Sequence, residues 1–172
     1  MVKIIMHGCN GHMGQVISDL VAKDANAEIV AGIDIADKGN TTYPVFTDIK
    51  ACQTEADVLI DFSSAKAADA LLDYCTERNL PVVLCTTGLS EEQLAKVNWK
   101  VDTVFSHTCP YKYRPLEAMI HGIDQSTIDT TTEEWLDLIE DKLDYKKWYC
   151  GHWHINKRID KMEFLFHDVR LF

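Results

Sequence analysis

VKIIMHGCNGHMG, residues 2–14, is the stretch whose reading decides the fold. Val2–Met6 is a short continuous apolar run. His7–Gly14 carries glycines at 8, 11 and 14, and QVISDLVAKD (15–24) follows with helical spacing at Val16, Leu20 and Val21. Strand, glycine loop and helix are expected in that order. Further along, AEIVAGID (27–34), ADVLIDFSS (56–64) and LPVVLCTTG (80–88) are apolar strands, and SAKAADALLDYCTERN (64–79) is an amphipathic helix. Alternating strands and helices predict an α/β fold, a Rossmann-like parallel sheet with helices on both faces. Unbroken apolar strands suit such a sheet, because both of its faces are covered.

Open parallel sheets bind ligands beyond the carboxyl ends of their strands. Those ends carry Gly8–Gly14, Asp34, Asp61–Ser64 and Thr86–Gly88. The glycines leave backbone N–H groups free to face a pyrophosphate. The helix starting near His12 adds favourable partial charge. Asp34 ends the second strand twenty residues after Gly14. A carboxylate there can accept from both ribose hydroxyls and repels a 2′-phosphate, with Lys38 close enough to soften the repulsion. A tight turn in an unrelated α/β fold also gives G-x-x-G-x-x-G spacing, and strand-end acids are common. The ordered set of strand, loop, helix, strand and acid favours a dinucleotide.

The bulk numbers exclude other classes. The chain has 172 residues, 47% hydrophobic and 26% charged, as in a globular protein. A net charge of −10 leaves no basic surplus for nucleic acid or an anionic membrane surface. No apolar run approaches the roughly 20 residues that span a bilayer, and the short MVKIIMHG start is not expected to be a signal peptide. None of the six cysteines (Cys9, Cys52, Cys75, Cys85, Cys109, Cys150) forms a C-x-x-C pair. A reducing, cytoplasmic setting is expected.

VKIIMHGCNGHMG, IVAGID, DVLIDFSSAKA and PVVLCTTGLSEEQL together resemble the nucleotide-binding domain of bacterial 4-hydroxy-tetrahydrodipicolinate reductase, an enzyme of lysine and diaminopimelate biosynthesis. The resemblance runs from residue 2 to about residue 97. It implies that the loop Gly8, Cys9, Asn10, Gly11, His12, Met13 and Gly14 holds the pyrophosphate of NADH or NADPH, and that Asp34 holds the adenosine ribose. It places Asp61, Phe62 and Ser63, with Thr86, Thr87 and Gly88, along the nicotinamide end. The family's second domain carries a His-His pair and a K-x-D-x-P-S-G-T stretch. Neither is present in this chain, so no catalytic residue is assigned.

Composition changes near residue 98. All four tryptophans (Trp99, Trp135, Trp148, Trp153) and five of the seven histidines lie beyond it. The run WKVDTVFSHTCP has an apolar strand, Val101–Phe105, that ends at His107. TIDTTTEEWLDLIEDKLDY (127–145) is expected to be a helix capped by Thr130 or Thr131 with a buried stripe of Trp135, Leu138, Ile139 and Leu143. KKWYCGHWHINKRID and KMEFLFHDVRLF are expected as a terminal antiparallel pair turning near Asp160-Lys161. His152 and His154 lie two apart, hence on one face if that segment is a strand. This second stretch (99–172), with its G-H-x-H, resembles the C-terminal part of calcineurin-like metallophosphoesterases. That resemblance implies metal ligands at His107, His152 and His154. The family's D-x-H and G-D-x-x-D motifs are absent, which argues against two bridged metals; ordinary hydrogen-bonded strand histidines are the first expectation, and a single divalent ion on the three is the alternative.

The expected organisation is a NAD(P)-binding domain over 1–97 and a metallophosphoesterase-like fragment over 98–172, with Val101–Phe105 continuing the first sheet. The chain reads as chimeric. Four functions follow: a dinucleotide binder of reductase descent, in which Asp34 favours NADH; a reductase drawing its proton donor from His107 or His121; a metal-dependent phosphoesterase fragment; and a chimera without activity. Homo-oligomers are compatible with all four.

Overall fold

The computed structural model describes residues 1–86, 88–119 and 128–167. The chain divides into two compact units, Met1–Lys96 and Val97–Phe172. In the first, β1 (Val2–His7), α1 (His12–Val21), β2 (Ala27–Ile33), β3 (Val45–Phe46), β4 (Val58–Asp61), α2 (Ala68–Arg78), β5 (Val82–Leu84) and α3 (Glu91–Ala95) follow in order. The five strands form one sheet in the order β3-β2-β1-β4-β5, and every pairing is parallel. This is the Rossmann-like sheet expected from the alternating pattern. Ile5, Ala31, Leu59 and Leu71 are fully buried at its core. Asn79, left-handed at φ 50°, ends α2, and its N–H bonds back to Cys75 and Thr76. Ser90 and Gln93 close a capping box on α3.

The rotation of α1 differs from expectation. Gly14 is buried and Ile17, Ser18 and Val21 are half-buried, whereas Val16 and Leu20 face outward at 39% and 62% exposure. The cause is Gly14 itself. A methyl group built there would lie 2.2 Å from the Gly8 carbonyl oxygen. Only a bare glycine lets the helix settle on the loop, and that contact turns positions 17, 18 and 21 toward the sheet.

In the second unit, β6 (Lys100–Ser106), α4 (Thr131–Glu140), β7 (Asp144–Cys150), β8 (Lys157–Ile159) and β9 (Met162–Phe164) follow in order. The strands form a separate sheet, β6-β7-β9-β8. β6 therefore does not continue the first sheet. It runs parallel to β7, where Val101 and Val104 sit opposite Tyr145 and Trp148 and gain an apolar partner. β7 in turn is parallel to β9, and only β8 and β9 are antiparallel. That hairpin turns at Asp160-Lys161 as expected, with Asp160 at φ 51°. The added sheet is thus mixed, with an antiparallel edge. Trp148, Met162 and Phe164 fill its core, and the Trp148 Nε1–H donates to Ser106 Oγ at 2.7 Å.

The expected buried stripe of α4 is also corrected. Trp135 and Leu138 are 50% and 65% exposed, whereas Glu133 and Leu136 are buried. Hydrogen-bond partners set this rotation. The Glu133 carboxylate accepts from the Thr108 hydroxyl at 2.8 Å, and Glu140 accepts from the Tyr145 hydroxyl at 2.6 Å. Buried acids must be paired, so their partners fix the inward face.

Among the described residues, no helix is long and apolar enough to cross a membrane.

Candidate functional site

β1 ends at His7, and the chain then turns through Gly8 at φ 81°. A methyl group on Gly8 would lie 2.6 Å from the Phe62 carbonyl oxygen, so the glycine loop rests directly on the turn after β4. The Gly8 N–H donates to Ile33 O at 2.8 Å, and Gly11 closes the loop by donating to Gly8 O at 3.0 Å. Gly11 is the N-cap of α1 and brings no side chain to cap it. The first-turn N–H groups of α1 are thus left with a site that attracts anions.

Asp34, one residue past β2, reaches back to this loop. Its Oδ2 accepts the Asn10 N–H at 2.8 Å and its Oδ1 accepts the Ile35 N–H at 2.7 Å. Asn10 is only 7% exposed. It donates from Nδ2 to Ala36 O at 2.6 Å, and its carbonyl oxygen accepts from Lys38 Nζ at 3.3 Å and Gln15 Nε2 at 3.2 Å. Its Oδ1 is buried with no partner among the described residues. A polar atom so placed invites a donor from a ligand. Asp34 and Lys38 bring opposite charges to the same loop.

Asp61 ends β4, fully buried, and faces His7 in register across the parallel β1–β4 pair. His7 Nδ1 lies 2.9 Å from Asp61 Oδ1, although its N–H is not aligned as a hydrogen bond. Asp61 Oδ1 also accepts the Ser63 N–H at 3.2 Å, and Oδ2 accepts the Thr86 hydroxyl at 2.5 Å. Burial pushes the Asp61 carboxyl up. The imidazole of His7 and the donors of Ser63 and Thr86 outweigh that and hold it below the ordinary carboxylate range. Ser63 Oγ is a further buried atom without a partner among the described residues.

The expected cofactor residues therefore fall along one sheet edge, with differences in what each can do. Gly8, Gly11 and Gly14 shape the loop. His12 and Met13 are exposed on the first turn of α1, and Phe62 is half-buried. Cys9 turns inward against Gly32 and Tyr43, and burial followed by the charge of Asp34 pushes its thiol up to about 11. Gly88 is left-handed at φ 76°. Thr87 lies outside the described residues, as does His121. His7 was missed by the sequence reading. The signal available was a histidine at the inner end of an apolar strand, and its partner could not be known without the strand register.

The expected metal ligands are only partly assembled. Gly151–Asn156 is not a strand, and His152 and His154 are both left-handed, at φ 69° and 52°. The two-residue period consequently does not apply. His152 Nδ1 lies 3.0 Å from His107 Nε2, while His154 stacks on Phe166 at 4.6 Å between ring centroids. Among the described residues, no group of three or more His, Cys, Asp or Glu is disposed to hold a metal ion.

The family model described as dihydrodipicolinate reductase, N-terminus, matches residues 2–107 and so extends through β6. The 4-hydroxy-tetrahydrodipicolinate reductase of Clostridium novyi (strain NT) is 49% identical over 98 residues, which is 57% of this chain and 39% of that protein. The Clostridium tetani protein of the same name is 48% identical over 95 residues, covering 55% and 37%. The chain thus spans about two-fifths of the length of the curated relatives it matches. Among solved structures, the dipicolinate-bound dihydrodipicolinate reductase from Paenisporosarcina sp. TG-14 aligns with a TM-score of 0.51 and 26% identity, over 62% of this chain and 48% of that one.

Proposed function

Because this chain belongs to the dihydrodipicolinate reductase family through its N-terminal domain, we propose that its first unit binds NADH or NADPH at the carboxyl edge of the five-stranded sheet. The observation that carries this is the seat around Gly14, where loop and helix approach too closely for any side chain, the first turn of α1 has no side-chain cap, and Asp34 is held against the loop by the Asn10 N–H. The pyrophosphate lies on the loop Gly8–Gly14, the adenosine ribose on Asp34, and the nicotinamide toward Asp61–Ser63 and Thr86–Gly88. Bound cofactor supplies a hydride. The residues here hold and orient it. The substrate motifs K-x-D-x-P-S-G-T and His-His do not occur in these 172 residues, so the reading for this chain is cofactor binding, of reductase descent. We place it in the cytoplasm, with no nucleic acid or membrane partner.

Calorimetric titration of the chelator-treated protein tests this. NADH binds with micromolar affinity and NADPH more weakly. Asp34→Asn costs NADH about tenfold or more, because a charge-assisted hydrogen bond contributes about 1.5–3 kcal/mol. If the folded protein takes up neither cofactor at millimolar concentration, the reading is wrong.

A second reading concerns His107 and the G-H-x-H of residues 151–154. The 3.0 Å approach of His152 to His107 favours one weakly held divalent ion on these two imidazoles, without His154. In equilibrium dialysis, Zn²⁺ or Ni²⁺ binding is lost in His152→Ala and kept in His154→Ala. Equal loss in both restores the three-ligand site. Hydrolysis of a chromogenic phosphate ester with Mn²⁺ would turn this segment into a phosphoesterase fragment.

A further inference from the structure

We propose that His7 is a positioning residue for the nicotinamide end of the cofactor site, acting through Asp61 on the Thr86 hydroxyl. The inference rests on the dinucleotide reading and goes beyond it to what that end of the site recognises.

His7 is the last residue of β1 and Asp61 the last of β4, and the two are paired in register. Residues so paired in a parallel sheet project to the same face. Both are buried, at 6% and 0% exposure, and the imidazole is 2.9 Å from the carboxylate. A buried carboxylate needs partners on both oxygens. Oδ1 has His7 and the Ser63 N–H, and Oδ2 has the Thr86 hydroxyl.

The consequence falls on Thr86. A hydroxyl carries one proton and two lone pairs, and Thr86 donates its proton to Asp61. Toward a ligand its oxygen therefore only accepts. A carboxamide N–H₂ suits that position, and a carboxylate does not. His7 keeps this arrangement in place by holding the carboxylate from its other side. The phosphate loop packs on the turn after β4, but its hydrogen bonds run to Ile33, Asp34, Ala36, Gln15, Lys38 and its own backbone rather than to Asp61, so loss of the imidazole leaves those bonds in place.

The test compares affinity for NADH with affinity for ADP-ribose, which lacks the nicotinamide, in the full chain. His7→Ala weakens NADH about tenfold and ADP-ribose less than twofold. His7→Asn, whose side-chain N–H₂ can still donate toward Asp61, restores NADH affinity to within about threefold of the unaltered protein. Should His7→Ala fail to fold, Thr86→Val, which removes the accepting oxygen, carries the test with the same ratio. Equal weakening of both ligands in His7→Ala, or no recovery in His7→Asn, overturns the positioning role. Failure of the unaltered protein to bind either ligand instead removes the dinucleotide reading, and the role of His7 with it.

Discussion

Gly14→Ala abolishes dinucleotide binding and destabilises the first unit by about 3 kcal/mol. The added methyl would sit 2.2 Å from Gly8 O, 2.7 Å from Cys9 Cα and 2.9 Å from Cys9 C. All three are backbone atoms, so no side chain can swing aside. Either α1 lifts from the loop or the loop leaves β1. The first exposes Ile17 and Val21. The second breaks the Gly8 bond to Ile33 O. NADH titration reads the loss of binding, and amide exchange along β1 in native buffer reads the loss of stability. Gly151→Ala is the matched control. Like Gly14, Gly151 is not left-handed, and a methyl there meets only Leu165 O at 3.7 Å and His107 O at 3.8 Å, ordinary contact distances. A Gly14→Ala protein that binds NADH normally would show that the loop does not carry the cofactor.

Asp61→Ala costs about 3–5 kcal/mol, the range for breaking a buried charged group from its partners. It leaves the Ser63 N–H and the Thr86 hydroxyl without their common acceptor and removes the carboxylate that lies 2.9 Å from the His7 imidazole. The pH dependence has a definite sign. The Asp61 carboxyl titrates below its ordinary value in the folded chain. Its contribution is therefore fully present above the unfolded value of about 3.9 and is lost as pH falls through the lower folded value. Acid titration of the first unit, followed by amide exchange on β1 and β4, is steep below about pH 4. In Asp61→Asn it is shallower. An unchanged acid limb in Asp61→Asn would mean that other carboxylates govern acid unfolding.

Sequence and structure agree where the physics is local. The strand, glycine loop and helix of residues 2–21 follow from an apolar run and the placement of three glycines, and the parallel sheet follows from repetition of that unit. The Asp160-Lys161 hairpin is equally local. What escaped the sequence depends on contacts between distant segments. His7 meets Asp61 only because Ile4 pairs with Val58, 54 residues later, and the register carries on to the strand ends. The rotation of α1 is set by one backbone contact at Gly14, which an apolar-spacing argument does not contain. In α4 the apolar residues Trp135 and Leu138 lost the inward face to two glutamates, because Thr108 and Tyr145 wait for them. The histidines of GHWH were misplaced for a related reason. Left-handed backbone at His152 and His154 breaks the strand that their spacing presupposed.

The confinement of all four tryptophans to Val97–Phe172 makes the two units optically separable. Intrinsic emission excited at the indole band comes from the second unit alone, whose tryptophans include the enclosed Trp148 and the half-exposed Trp135. NADH taken up at the proposed site would report on the first. A single urea titration read at both wavelengths yields two curves from one sample. Their midpoints coincide when the units melt as one cooperative block, and they part when each melts by itself.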